Sequence, residues 1–494
     1  MDRRTFIKAM GAGLASASGS AWAGPALLKG PKRPNILWIA VEDISPLLSC
    51  YGYGASPTPH LDRLAAGGVR FERAFMPAPV CSPCRSGMIT GLMPTSTGTH
   101  NHHSSRNEDS AIHLPKGVET LPELFRQAGY FTFNHGKDDY NFRYDRENLY
   151  TGAYRTHRLY GCFGDAADWR DRPDDRPFFG QIQLKGGKHI YKEDFADLVK
   201  NPVRRDAFEL PPYYPDDPMV REDWARHIDS IRMTDDEVGA IVERLRADGL
   251  LDNTVICFFS DHGMRLWRHK QFCYDSGLQV PFIMSWAGDP GRLGGAGTVR
   301  RDLISGLDLG ATSLALAGLP VPEIMESRDL FAAGFTARDH VIGVRDRCDF
   351  TIDRIRTVRT DRYRYIRNFH PERPYMQPSY RDDWDVTARM RTLHAERKLN
   401  EVQDRFWGEE RPAEELYDLK NDPHEIHNLA RDPARKDELH RHRRLLADWI
   451  CETGDQGQYP EDDANLQYML DWWGERCVNP EYDRLRKKHT PASA

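Results

Sequence analysis

The sequence predicts an α/β protein whose centre is a mainly parallel β-sheet covered on both faces by helices. Three observations carry this reading. Short apolar runs have the length and residue types of buried strands, amphipathic stretches with helix signals lie between them, and four of the runs lead into acids or bases. In open sheets of this kind ligands bind beyond the carboxyl ends of the strands, so the residues just after the runs are where chemistry is expected.

The first run, Asn35 to Val41, is followed at once by Glu42 and Asp43. Pro59 to Ala66, opening on proline, reads as a helix. A helical stretch from Leu121 to Ala128, stopped by Gly129, precedes Phe131-Thr132-Phe133, which leads into His135-Gly136-Lys137. Phe178 to Leu184 passes through a glycine-rich turn to Lys188 and His189. Ile228, Ile231, Val238, Ile241, Val242 and Leu245 recur at helical spacing, and Thr254 to Ser260 ends in Asp261-His262-Gly263. A single acid after a strand is often only a turn or cap residue. Four such ends in one chain point to a shared pocket. There Glu42, Asp43, Asp261 and His262 offer hard oxygen ligands and one imidazole to a divalent cation, Ca²⁺ first and Mg²⁺ second. Without an ion the clustered carboxylates would repel one another.

The organisation expected is a catalytic domain over residues 33–335 and a smaller α+β subdomain over 336–494, closely packed because no repeat or long low-complexity linker separates them. Asp361 to Arg411, rich in Arg, Tyr and Trp, reads either as a sugar-binding segment over the pocket mouth or as an exposed charged surface. With 68 basic and 74 acidic residues the net charge is −6, which argues against nucleic-acid binding through a global basic field. An anionic substrate must meet a local cluster of cations. The nine cysteines, at 50, 81, 84, 162, 257, 273, 348, 451 and 477, lack the repeated spacing of a zinc module or disulfide scaffold.

At the N-terminus, Arg3-Arg4, a small-residue apolar stretch from Ala9 to Ser20 and Ala21-Trp22-Ala23 resemble a twin-arginine export signal over residues 1–23. A membrane span needs about 20 consecutive apolar residues, and this stretch is shorter and rich in Gly and Ser. The expectation is a periplasmic or secreted protein that uses the twin-arginine machinery and keeps no transmembrane segment when mature.

The most specific stretch is Val80-Cys81-Ser82-Pro83-Cys84-Arg85-Ser86-Gly87-Met88-Ile89-Thr90-Gly91, which matches C-x-P-x-R with a downstream Thr-Gly. On these residues the chain resembles a type I sulfatase of the alkaline-phosphatase superfamily, and the nearby Thr99-His100-Asn101-His102-His103 run gives it the look of the heparan N-sulfatase-like branch. The resemblance implies an alkaline-phosphatase-like fold and a Cys81 oxidised to formylglycine by a maturation enzyme. The hydrated aldehyde has two hydroxyls: one attacks sulfur and the other drives sulfate elimination. Cys81 would also sit among the metal ligands Glu42, Asp43, Asp261 and His262, with Glu42 standing where aspartate is usual.

The same resemblance assigns Arg85, Lys137, His189 and Lys270 to sulfate binding and catalysis. Lys270 is followed by Tyr274-Asp275 and Val280-Pro281-Phe282-Ile283, and Glu415 to Leu419 resembles the family's closing strand. The histidine usual two residues after Lys137 is Asp139 here, so His135 fills that role or no residue does. His100, His102 and His103 read as substrate-pocket lining, with a transition-metal site or complement to a helix dipole as alternatives. The implied activity is hydrolysis of a sulfate ester or sulfamate on a sulfated carbohydrate. The alternatives are a phosphomonoester or phosphonate hydrolase and a noncatalytic sulfated-glycan binder. Cys81 and Cys84 as a redox pair or half of a zinc site is the other reading of the C-x-x-C.

Overall fold

The computed structural model describes residues 33–105, 108, 110–151 and 167–489. The export signal read over residues 1–23 lies outside them. Strands β1 (Asn35–Val41), β2 (Gly68–Phe75), β3 (Phe131–His135), β4 (Phe178–Leu184), β5 (Thr254–Ser260), β6 (Gln279–Trp286), β7 (Thr298–Arg300) and β8 (Ile304–Ser305) form one sheet in the order β3-β4-β1-β5-β6-β2-β7, with β8 also beside β2. Neighbours from β3 to β5 are parallel, whereas β6 runs antiparallel to both β5 and β2.

Every residue of β1, β4 and β5 is buried, Gln181 and Gln183 of β4 included, as strands covered by helices on both faces require. On one face Leu37, Ile39 and Val41 pack with Ile231, Val238, Ile241 and Leu245 of the helix Pro218–Ala247. On the other, Ile36, Trp38 and Ala40 meet Met88, Ile89, Phe125 and Leu314. Trp38 sits edge-on to Phe179 at 5.3 Å and to Phe259 at 5.6 Å, each pair contributing about 0.5–1.5 kcal/mol beyond area burial, and its indole N–H donates to Ser313 Oγ at 3.0 Å.

The helices extend or trim the expected spans for local reasons. The helix Pro218–Ala247 starts well before its periodic apolar run because Asp217 caps it, accepting from the Met219 N–H. The helix Leu121–Gln127 opens on a Thr120/Glu123 capping box. The signature helix begins at Cys81 itself, Cys81–Thr90, and ends at Gly91 with φ 69°.

A second, antiparallel sheet has the order β12-β11-β10-β9, from β9 (His340–Arg345), β10 (Ile355–Thr360), β11 (Tyr363–Asn368) and β12 (Glu414–Asp418). Val344, Val358, Tyr365 and Leu416 of this sheet, with Leu446 and Trp449 of the helix Lys436–Thr453, join the core that covers the large sheet. The two sheets therefore share buried apolar surface. Among the described residues no helix is long and apolar enough to cross a membrane.

Candidate active site

The parallel register sets Val41 opposite both Leu184 and Ser260, so the residues just beyond the C-terminal ends of β1, β4 and β5 emerge side by side. Glu42 N–H donates to Leu184 O at 3.2 Å and Asp261 N–H to Val41 O at 3.0 Å, which fixes the turns. Asp43 has φ 56°, a left-handed conformation costly outside glycine, and its N–H donates to Asp261 Oδ1 at 3.2 Å. Such strain persists only where the surroundings hold it.

Cys81, 2% exposed, opens the signature helix behind Val80, which offers no side-chain cap, so the positive end of the helix dipole lies at the thiol. Its Sγ is 3.2 Å from His262 Nε2 and 3.3 Å from Lys270 Nζ. Burial would raise this thiol, yet Lys137, Lys270, Lys188 and His262 together hold it well below the ordinary range. Cys84, one turn on, is pushed the other way by burial and by Asp261. The two cysteines of the C-x-x-C are thus electrostatically unlike, and neither is in a disulfide.

Arg85 is the tie-rod of the site. Its Nε donates to Asp261 Oδ2 at 3.1 Å, Nη1 to Gln183 Oε1 at 2.7 Å and Nη2 to Glu42 Oε1 at 3.1 Å. Lys137 Nζ lies 2.6 Å from Glu42 Oε1 and 3.0 Å from Asp139 Oδ2, and Lys270 Nζ lies 2.9 Å from Asp43 Oδ1. Ligand atoms of Glu42, Cys81 and Asp261 fall within 4.8 Å of one another, as do those of Asp43, Cys81 and His262. Burial drives the Asp261 carboxyl above its ordinary value, and Cys81 and Glu42 add to the rise. Three converging carboxylates and an imidazole, one acid resisting ionisation, form a donor set suited to a hard divalent cation.

The structure brings Glu42, Asp43, Cys81, Arg85, Lys137, Asp261, His262 and Lys270 together, and Glu42 joins the cluster despite its extra methylene. His189 turns elsewhere. It is 1% exposed, with Nε2 3.1 Å from Glu237 Oε2 on the helix Pro218–Ala247. Its neighbour Lys188 is the residue that pairs with Glu42. The turn carrying both is a 3₁₀ helix, Gly186–Tyr191, in which successive side chains point about 120° apart. Glycines allow it: a Cβ on Gly186 would stand 2.2 Å from Glu42 O, and one on Gly187 2.4 Å from Asp43 O. His135, buried at the end of β3, has its imidazole pushed below the ordinary value by burial.

Sequence reasoning also passed over Gln183, which holds Arg85 while donating to Asn134 Oδ1 at 3.1 Å, and Tyr380, whose hydroxyl burial pushes up to about 12 against the opposing pull of Lys270. Tyr380 and Arg381 bring the segment 361–411 to the site, and Arg381 donates to Lys270 O at 2.6 Å. Of the histidine run, His102 has a ring nitrogen within 4.8 Å of Cys81 Sγ and an Asp139 carboxylate oxygen.

The sulfatase family model matches residues 34–319. An ulvan-active sulfatase of Formosa agariphila is 32% identical over 88% of this chain and 78% of that protein. Human N-sulphoglucosamine sulphohydrolase is 28% identical over 86% of this chain and 91% of that protein. Among solved structures, a 2-O GAG sulfatase overlays with a TM-score of 0.62 at 21% identity, covering 88% of this chain and 96% of that one. A phosphonate monoester hydrolase of Agrobacterium radiobacter gives 0.56 at 18% identity, covering 85% and 96%. At these identities the overlays speak to the alkaline-phosphatase-like fold alone.

Proposed function

The chain belongs to the sulfatase family, and from that premise we propose that it hydrolyses a sulfate ester or sulfamate on a sulfated carbohydrate, with Cys81 converted to formylglycine. The observation that carries this is Cys81 at a helix N-terminus, with His262 Nε2 3.2 Å and Lys270 Nζ 3.3 Å from its Sγ and Lys137 and Lys188 paired to the adjacent Glu42. That is a nucleophile position inside an anion-binding cage. Glu42, Asp43, Asp261 and His262, with the residue at 81, would hold a divalent cation, Ca²⁺ by the oxygen-rich donors, and it would supply positive charge beside the sulfate when bound. Formylglycine, as its hydrate, supplies a nucleophilic hydroxyl and a second one that expels sulfate.

The chain's own residues do the rest. Lys137, Lys188 and Lys270 spread positive charge over the sulfate oxygens as charge builds in the transition state. Arg85, fixed by Gln183, Glu42 and Asp261, keeps the metal-binding acids and the nucleophile in register. Lys270, whose Nζ lies 3.3 Å from Cys81 Sγ, is the group placed to hold or move a proton at residue 81 once oxygen has replaced the sulfur. Because Cys81 is 2% exposed, the formylglycine-generating enzyme must act before this pocket closes. Export by the twin-arginine route comes after it, and replacing Arg3 and Arg4 by Lys should trap the precursor inside the cell.

The test is sulfate release by matured protein from sulfated oligosaccharides, assayed beside matched phosphate and phosphonate monoesters. Turnover of the sulfated sugars supports the reading. Preferential turnover of the phosphorus esters would place the activity elsewhere in the superfamily, and no turnover of either, with binding intact, would leave a glycan binder.

A further inference from the structure

Beside the site, the turn at Asn101–Ser105 meets the turn at Arg347–Thr351, and the two are stitched by His102 N–H to Arg347 O at 2.9 Å, Arg347 N–H to Asn101 Oδ1 at 3.1 Å and Arg347 Nη1 to His102 O at 2.8 Å. Both turns hold non-glycine residues in the left-handed region, His103 at φ 58° and Asp349 at φ 48°. What they bring together is a buried nitrogen, sulfur and oxygen: His102, Cys348 and Asp349, with ligand atoms mutually within 4.8 Å.

We propose that His102 Nδ1, Cys348 Sγ and Asp349 Oδ1 form a binding site for Zn²⁺, distinct from the carboxylate-rich cation site beside it. The spacing fits that ion. Tetrahedral zinc with its usual bond lengths to N, S and O separates N from S by about 3.6 Å and N from O by about 3.4 Å. Cys348 Sγ and His102 Nδ1 are 3.6 Å apart, and His102 Nδ1 and Asp349 Oδ1 are 3.2 Å apart. A thiolate and an imidazole select a borderline ion over Ca²⁺.

The surroundings also fit. Gln271 Nε2 donates to Cys348 Sγ at 2.6 Å, and Arg381 occupies the Gln271 carbonyl so that its NH₂ must face the sulfur. His103 Nδ1 lies 2.9 Å from Asp349 Oδ1 and orients that carboxylate. In the metal-free state His102 and Asp349 make an ion pair, burial opposing and Asp349 favouring the charged imidazole. Zinc entry then releases one proton from His102 and one from the Cys348 thiol to solvent.

The test uses the full chain carrying Cys81→Ala, which removes the other thiol beside His102, in buffer saturated with Ca²⁺. Co²⁺ serves as the probe. The expected result is a near-ultraviolet sulfur-to-cobalt charge-transfer band that saturates at one equivalent, is displaced by Zn²⁺ and is absent after Cys348→Ser. Should that variant misfold, Gln271→Ala is the second arm, with affinity weakened about tenfold or more. No thiolate band in the parent chain, a band that persists in Cys348→Ser, or unchanged affinity in Gln271→Ala would overturn the proposal.

Discussion

Lys270 holds its ammonium 3.3 Å from Cys81 Sγ while donating to Asp43 Oδ1 at 2.9 Å, so one cation joins the first residue of the signature helix to the acids at the end of β1. Around it Lys137 and Lys188 reach Glu42, and Arg85 reaches Glu42 and Asp261. Which side chain occupies which corner of this cage decides how each substitution acts.

After β4 it is Lys188 that pairs with Glu42, while His189 meets Glu237, so the proposed function gives the cation role to Lys188. Lys188→Ala should lower kcat/KM for a sulfated sugar by about 10²–10³-fold, the usual loss when one preorganised charge is removed from a transition state. His189→Gln, which disturbs the Glu237 contact, should cost less than about tenfold. Steady-state kinetics on both matured variants decides this, and the reverse ranking would return the role to His189.

Gly187 lets that turn lie against β1, and its N–H donates to Glu42 O at 2.8 Å. A methyl at this position would stand 2.4 Å from Asp43 O, so the turn must shift. Gly187→Ala should destabilise the fold by about 1–3 kcal/mol and lower turnover through displaced Lys188. Denaturant melts and kinetics on the same preparation check both effects.

The sheet was readable because β1 and β5 are mostly apolar runs followed at once by acids, and β4, apolar apart from Gly180, Gln181 and Gln183, leads to Lys188 and His189. Most of the cage was readable for the same reason, together with the C-x-P-x-R motif. Side-chain direction inside the Gly186–Tyr191 turn was not: the sequence shows Lys188 and His189 as adjacent bases, and only the 3₁₀ geometry sends one to Glu42 and the other to Glu237. Gln183 was hidden because a glutamine in a buried strand carries no signature. His102 and Cys348 are 246 positions apart, a pairing that only the packing of the second sheet against the first creates.

Asp353 is a buried carboxylate between Arg345 and Arg411, in the smaller sheet's surroundings. Burial opposes its charge, but the two guanidiniums hold it below its ordinary value of 3.8. A depressed carboxylate contributes stability that is present above the unfolded value and is lost as pH falls through the folded one. Asp353→Asn should therefore cost about 3–5 kcal/mol at pH 7, and the gap from the parent should narrow as pH drops below 4. Urea unfolding across that range measures the gap, and a constant difference would contradict the assignment.

Exhaustive chelation should abolish sulfate release, because Asp261 and its neighbours are left as converging acids with no ion among them. Added Ca²⁺ should restore activity, with Mg²⁺ less effective. Full activity in protein shown by elemental analysis to be metal-free would remove Glu42, Asp43, Asp261 and His262 from the role of ligands.

In the proposed function Cys81 alone of the C-x-x-C becomes the nucleophile, and every role proposed for the cage depends on it. The most direct measurement is peptide mass spectrometry across residues 81–85 of active protein and of Cys84→Ser, both made in a host with formylglycine-generating activity, alongside sulfate release. The aldehyde is expected at position 81 in both, with most activity kept in Cys84→Ser and none in Cys81→Ala. An unmodified Cys81 thiol in fully active protein would contradict it.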